Sequence, residues 1–387
     1  MIRPAIIIPT CDRSPSVLNR AVQSALLQQL PAEIIVVDDG LIPVTQTWPG
    51  VRIINLNNRS GPCAARNIGT IACSPDVNAI CYLDDDDELM PTHTRLLAAA
   101  LDSGAGFAFS RALYRFPDHE TEDPEPGNHG PKRYYDPQAL LAQNIAPISS
   151  FMHLRKHGDE IGWWDDETSR LEDWDFWGRL FIRCGPPAKV NAVTNIIHKD
   201  GSPNRTDSNQ YNYSLMCSWR DIVDARLKHM AAEKRCRITE DDRRRFRIPR
   251  IGIPMAVPAW TPAVKTTLDS IIKQDADFEV LLTTGSAPQA GFDERVRIFM
   301  RQSPLLDMMN WSLLMSRSEH LAFVNAPPNE GALRQKSAFL DANRRVGILD
   351  REPVMMRRRV IETIGGLTSD LPDMIRKAYE RFEVKHV

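Results

Sequence analysis

Over roughly the first 90 residues, short apolar runs alternate with stretches in which apolar positions recur every three or four residues. Ile6-Ile7-Ile8 reads as a buried strand closed by Pro9. Ser14-Pro15 then offers an N-cap and a first-turn proline ahead of Val17, Leu18, Ala21, Val22, Ala25 and Leu26 at helical spacing. A second run, Ile34-Ile35-Val36-Val37, goes straight into Asp38-Asp39-Gly40, and a third lies at Val51-Arg52-Ile53-Ile54. A helix follows Gly61-Pro62, and a fourth run, Ile80-Cys81-Tyr82-Leu83, meets Asp84-Asp85-Asp86-Asp87. The alternation predicts a parallel sheet covered by helices. Its polar clusters fall at the carboxyl ends of the strands, where doubly wound sheets bind ligands.

Beyond this point the pattern changes twice. Residues 117–133 are rich in proline, glycine and acidic side chains with almost nothing apolar, which predicts a loop, either a border or lid of a site or a plain surface excursion. Residues 210–247 turn helical and charged, ending in Arg243-Arg244-Arg245, and read as a connector. After it the chain starts again. Ile251-Gly252-Ile253-Pro254 echoes Ile6-Ile7-Ile8-Pro9, and Ser270-Ile271-Ile272-Lys273-Gln274 echoes Ser24-Ala25-Leu26-Leu27-Gln28. Glu279-Val280-Leu281-Leu282 echoes Glu33-Ile34-Ile35-Val36, Val296-Arg297-Ile298 echoes Val51-Arg52-Ile53, and Glu362-Thr363-Ile364-Gly365-Gly366 echoes Asp159-Glu160-Ile161-Gly162-Trp163. Shared order and spacing imply two copies of one fold, with units at 1–209 and 248–387 flanking the connector 210–247. In the second copy Thr283-Thr284-Gly285 stands for Asp38-Asp39-Gly40, and Phe323-Val324-Asn325-Ala326-Pro327-Pro328 replaces the strand with its aspartates, so no metal is expected there.

Composition narrows the class. With 387 residues, 42% hydrophobic and 25% charged, the chain is of ordinary globular make-up and long enough for two or three domains. A formal net charge of −2 gives no global basic field for nucleic acid. The absence of a secretory leader or a bilayer-length apolar run leads to the expectation of a cytoplasmic protein. The seven cysteines include no Cys-x-x-Cys pair, which argues against a disulfide scaffold or zinc ribbon. His153 and His157 are four apart but lack the carboxylate partners of a zinc helix motif.

The candidate chemistry lies in the carboxylates. Four adjacent aspartates at the end of a buried strand repel one another unless a cation, basic neighbours or water offsets the repulsion, so a divalent metal site and a solvated acidic turn are the two readings. In Leu171-Glu172-Asp173-Trp174-Asp175-Phe176-Trp177, Trp174, Trp177 and Phe181 share a helical face as core or sugar-platform groups, while Asp173 stands at the helix start, where capping is the alternative to catalysis.

Together these residues resemble the family 2 glycosyltransferases of GT-A fold. The likeness rests on Ile8-Pro9-Thr10 with Arg13, Val37-Asp38-Asp39-Gly40, Gly61 with Ala65-Arg66-Asn67 and Gly69, Leu83 to Asp87 with Pro91, Glu172-Asp173, and His198. It covers about residues 4–205 and, more weakly, 248–383. The resemblance implies an α/β GT-A catalytic domain followed by a degenerate repeat. It implies an inverting transfer of a sugar from a nucleotide-diphospho-sugar, a UDP-sugar foremost, to a hydroxyl of a carbohydrate or lipid-linked glycan acceptor in bacterial surface polysaccharide synthesis. Pro9, Thr10, Arg13, Asp38, Asp39, Arg66, Asp84 and Asp85 would hold the donor. Asp86, Asp84 and His198 would hold Mn²⁺ or Mg²⁺, Asp173 would be the general base, and Glu172 and Trp174 would meet the acceptor. Lys199 and Arg205 would add positive charge beside His198. The second domain would serve acceptor binding or homodimer formation, with the basic stretches Arg243-Arg244-Arg245 and Arg357-Arg358-Arg359 as solvated faces or peripheral contacts to the inner face of a membrane. An inactive nucleotide-sugar or carbohydrate-binding scaffold and a nucleotidyltransferase are the alternatives; the latter lacks its glycine-rich loop, since Pro9-Thr10-Cys11-Asp12-Arg13 follows the first strand.

Overall fold

A computed structural model describes residues 1–56, 60–122, 134–168, 170–199 and 210–247. Thereafter it describes 249, 251–286, 295–300, 304, 308–309, 312–313, 316, 318, 320–324, 328, 332–342, 346–349, 354–357 and 383–385. The chain divides into two compact units, Met1–Asn204 with Arg220–Phe246, and Arg205–Trp219 with Arg247–Val387. Among the described residues no helix is long and apolar enough to cross a membrane.

The first unit opens with β1 (Pro4–Thr10), α1 (Pro15–Leu26), β2 (Glu33–Asp38), β3 (Val51–Asn55), α2 (Pro62–Ala72) and β4 (Ala79–Tyr82). There follow β5 (Glu88–Leu89), α3 (His93–Asp102), β6 (Phe107–Arg115), β7 (Glu120–Thr121), β8 (Phe151–Leu154), α4 (Arg155–Ile161), α5 (Glu172–Cys184) and β9 (Ala188–His198). Two more helices follow, α6 (Gln210–Ala232), which is divided between the units at Trp219, and α7 (Glu240–Arg245). The sheet runs β3-β2-β1-β4-β8-β6-β9-β5, with β7 beside β6. Its first four strands are parallel, as the apolar runs foretell. Strand β8 then reverses direction against both β4 and β6.

Parallel central strands are covered on both faces, so they must be apolar throughout. Ile6, Ile7, Ile8, Ile35, Val36 and Val37 are accordingly all fully buried. Gly69 lets α2 lie directly on the sheet: a Cβ there would come within 2.5 Å of Ile7 Cγ2. Beside α2 on the same face, Trp164 stacks on Phe176 at 4.2 Å and Trp177 on Phe151 at 4.3 Å. Of the Trp174, Trp177 and Phe181 stripe expected, Trp177 joins this core and Phe181 is half-buried, while Phe176, outside the stripe, is buried as well.

The stretch expected as a connector is divided. Arg220–Phe246 belongs to the first unit, where Arg226 of α6 is buried against the α5 region. Arg226 donates to Asp165 at 3.0 Å, to Thr168 at 2.7 Å and to Asp175 at 2.7 Å, while Arg179 holds the other Asp175 oxygen at 2.8 Å. Arg243 reaches Asp165 at 3.2 Å, so one of the three terminal arginines is paired rather than merely solvated. Within 117–133, Glu120 and Thr121 form β7, and residues 123–133 lie outside the described residues.

In the second unit β10 (Ile251–Val257), α8 (Pro262–Ile272), β11 (Phe278–Thr284), β12 (Val296–Met300), β13 (His320–Phe323), α9 (Ala332–Ala342), β14 (Val346–Leu349), β15 (Val354–Arg357) and β16 (Glu383–Lys385) follow in order. Their sheet runs β12-β11-β10-β13-β15-β14-β16. Each pair has the direction of its counterpart in β3-β2-β1-β4-β8-β6-β9. One register departs from the sequence echo. Ile6 pairs with Ile34, yet its echo Ile251 pairs with Phe278 instead of Val280. A slip of two residues keeps every side chain on its own face, so the apolar pattern does not oppose it. The echoes at Asn325–Pro327 and Glu362–Gly366 lie outside the described residues, as do Arg358 and Arg359.

Candidate active site

The loops after β1 and β2 are laced together by carboxylates. Asp38 accepts the Gly40 amide at 2.8 Å and the Val44 amide at 2.7 Å; Asp39 accepts those of Ser60 and Gly61, each at 2.6 Å. Asp12, in the left-handed conformation at φ 51°, takes the Leu41 amide at 2.8 Å. A Cβ on Gly40 would lie 2.7 Å from Asp12 Oδ1, so only glycine fits. Asp38 and Asp39 were expected to face a nucleotide. Both are buried and accept backbone amides, which fixes the shape of the loops from behind.

The four aspartates after β4 divide into two kinds. Asp85 and Asp87 point inward. Asp85 is held by Thr10 Oγ1 at 2.6 Å and by Arg13 Nε at 2.9 Å, so Thr10 and Arg13 secure the acidic loop directly. Asp87 accepts from Ser149 Oγ at 3.0 Å and from the His198 amide at 3.3 Å, and burial pushes its carboxyl well above the usual range. Asp84 and Asp86 keep side-chain exposures of 39% and 24%. Asp86 meets Arg13 at 3.0 Å, and Arg20 donates to its carbonyl at 2.8 Å. Partial loss of hydration, with Asp86 and Asp85 adding like charge, raises the Asp84 carboxyl against the pull of Arg66, less than full burial would because its side chain stays 39% exposed. Pro9 lies half-buried in β1 opposite Val37, next to Thr10.

A hard cation suits this donor set, which is all oxygen and carries more negative charge than Arg13 and Arg66 offset. Among the described residues no three His, Cys, Asp or Glu converge on one point. Asp84 and Asp86, the two with open side chains, are the residues that could hold such an ion. His198 does not join them: its Nε2 lies 2.6 Å from Glu88 Oε1, a carboxylate also approached by Arg20 at 3.6 Å and Arg115 at 3.8 Å. The expected ligand is tethered elsewhere. Lys199 donates its amide to the Arg115 carbonyl at 2.8 Å, and Arg205 lies outside the described residues.

Across from the aspartates stands the start of α5. Asp173 Oδ1 takes the Trp174 amide at 2.8 Å and Oδ2 takes Asn144 Nδ2 at 2.6 Å. A helix N-terminus favours the ionised form. Burial outweighs it, with Glu172 adding like charge, and the carboxyl is pushed up to about 6, the range of a general base working near neutrality. Arg66, 4% exposed, joins the two halves of the site: it reaches Glu172 at 3.0 Å and Asp84 at 3.3 Å while lying 4.7 Å over the Trp164 ring. The structure places it as a bridge between the two carboxylates. Trp174 is 2% exposed, and its Nε1 donates to the Leu140 carbonyl at 2.7 Å, which places it in the core rather than on an open face. Glu172 stays half-buried on Arg66.

Sequence reading had not singled out Asp12, Arg20, Asn144, Ser149, Trp164 or Arg226. Asp12 carried a signal, since aspartate after a strand tolerates positive φ. The others act through neighbours remote in the chain and left none.

The first unit is an α/β domain of GT-A class, with a mixed sheet whose acidic strand end faces the start of the Asp173 helix. The family model described as "Glycosyl transferase family 2" matches residues 5–159. Over 197 residues the chain is 30% identical to "Uncharacterized glycosyltransferase YwdF" of Bacillus subtilis, covering 49% of this chain and 70% of that protein. Over 208 residues it is 26% identical to "Putative colanic acid biosynthesis glycosyl transferase WcaA" of Escherichia coli, covering 50% and 71%. Among solved structures, S. aureus TarS 1-349 in complex with UDP-GlcNAc superposes with a TM-score of 0.44 at 13% identity over 60% of this chain and 71% of that one. The chain belongs to glycosyl transferase family 2.

Proposed function

We propose that the first unit is a metal-dependent, inverting glycosyltransferase that moves a sugar from a nucleotide-diphospho-sugar, a UDP-sugar foremost, to a hydroxyl of a carbohydrate or lipid-linked glycan. The observation that carries this reading is the Arg66 bridge, which ties the exposed Asp84 to the start of the Asp173 helix. Asp173 removes the acceptor hydroxyl proton as the oxygen attacks the anomeric carbon, and the bond to the nucleoside diphosphate breaks on the opposite face, so configuration inverts. A Mn²⁺ or Mg²⁺ ion held by Asp84 and Asp86 would neutralise charge on the departing diphosphate. Thr10 and Arg13 keep Asp85 turned inward, leaving the open edge to those two aspartates. A role in bacterial surface polysaccharide synthesis draws support from the name of the E. coli relative. The shared strand order supports reading the second unit as a degenerate copy that serves acceptor binding or dimerisation.

The test is calorimetric titration with UDP-, GDP-, dTDP- and CMP-sugars in Mn²⁺ and then in EDTA, with Asp86→Ala as control. Metal-dependent binding of one nucleotide class, lost in the variant, is the expected result. Absence of binding by every donor in folded, metal-supplied protein would overturn the reading in favour of a non-catalytic scaffold.

A further inference from the structure

We propose that Asn144 is a positioning residue for the base: its side-chain amide grips Asp173 Oδ2 and so aims the carboxylate at the acceptor hydroxyl. The proposal rests on the reading of Asp173 as the base. Two anchors fix the carboxylate, one on each oxygen, and they come from different parts of the chain. The Trp174 amide belongs to α5 itself, whereas Asn144 comes from the segment between β7 and β8.

That segment is held at both ends of the site. The Leu140 carbonyl accepts Trp174 Nε1 at 2.7 Å, and the Tyr135 amide donates to the Ile145 carbonyl at 2.9 Å. Farther on, Ser149 Oγ accepts the Asp84 amide at 3.3 Å and donates to Asp87 at 3.0 Å. A single strap therefore touches the base helix and the acidic loop, and Asn144 lies between these attachments.

The orientation of Asn144 carries a cost that a spacer residue would avoid. Its Oδ1 is buried without a hydrogen-bond partner, against the general rule that buried acceptors are satisfied. Flipping the amide would relieve nothing, because Oδ1 would then face the Asp173 carboxylate lone pair to lone pair. The unsatisfied acceptor is the consequence of directing the NH₂ group at Asp173. The charged groups bearing on Asp173 are Glu172 from its own helix and Arg66 from α2, while Asn144 adds a neutral donor that favours the ionised form. Losing that donor raises the pH at which the base becomes available.

The experiment compares Asn144→Asp, nearly isosteric, and Asn144→Ala with Asp173→Asn. The Asp173 carboxyl is followed by ¹³C NMR titration of aspartate-labelled protein, assigned by its disappearance in Asp173→Asn. Turnover is followed with whichever of the UDP-, GDP-, dTDP- or CMP-sugars binds in Mn²⁺. Both Asn144 variants are expected to titrate at higher pH, to move the acidic limb of kcat/KM upward, and to lose about ten- to a hundredfold in kcat at unchanged donor affinity, the span a charge-assisted hydrogen bond carries. Asn144→Ser, which keeps a donor, should recover part of the loss, and it replaces either variant that fails to fold. If Asp173→Asn abolishes turnover while the Asn144 variants titrate and turn over as the native protein does, the role of Asn144 is refuted and the base stands. If Asp173→Asn turns over normally, both fall together.

Discussion

The two units share a strand order and differ in what the strands deliver. In the first, β2 ends in Asp38 and β4 leads to the aspartates; in the second, β11 ends in Thr283 and Thr284, whose hydroxyls are spent internally. Thr283 Oγ1 lies 2.6 Å from Ser312 Oγ, and Thr284 Oγ1 donates to the Ser286 carbonyl at 3.0 Å. Apolar strands such as Ile253, Val280 and Leu282 are as buried as Ile6 and Val36. The sheet therefore depends on the apolar runs, and the chemistry on a few residues just past their ends, so the second can change while the first persists.

The comparison is tested most strongly at Asp173. Asp173→Asn should lower kcat by about 10²–10⁴-fold with donor binding retained. In the native protein kcat/KM should fall about tenfold per unit below pH ~6, whereas an unperturbed carboxylate base would hold to pH ~4. Next in size, Arg226→Met should cost about 3–5 kcal/mol in denaturant unfolding, since Asp165 and Asp175 lose a buried partner. A cost under about 1 kcal/mol, typical of surface pairs, would sink the assignment of Arg220–Phe246 to the first unit. Asp86→Ala should weaken donor binding in Mn²⁺ by at least about tenfold and leave little further effect for EDTA; equal EDTA sensitivity in variant and native protein would move the cation away from Asp86.

A smaller effect runs the other way. A carboxyl raised above its unfolded value binds more protons in the folded state between about pH 4 and 6, so its ionisation costs stability as pH rises through that window. Asp173→Asn should therefore be more stable to denaturant unfolding than the native protein at pH 7, by about 1 kcal/mol, and no difference would mean that burial of Asp173 is compensated. Smallest is Thr283→Val in the second unit. It removes one hydroxyl from Ser312, which keeps the Met255 and Met308 carbonyls at 3.2 Å each, so about 1 kcal/mol of stability is at stake and donor binding should not move.

The first four strands, the first helices, the acidic cluster and the Asp173 helix were legible in the sequence, because burial imposes an apolar period and strand ends collect polar residues. The family likeness carried the function class for the same reason: the motifs are local and their order is linear. What tertiary structure alone decided was where each carboxylate points and which partner it meets. Asp85 and Asp87 are adjacent to Asp84 and Asp86 in the chain, yet only the approach of Thr10, Arg13 and Ser149 turns the first pair inward. His198 is drawn to Glu88 and Trp174 to the Leu140 carbonyl by partners distant in the chain. A hydrogen bond is set by angstroms of separation in space, and no periodicity along the chain encodes that distance.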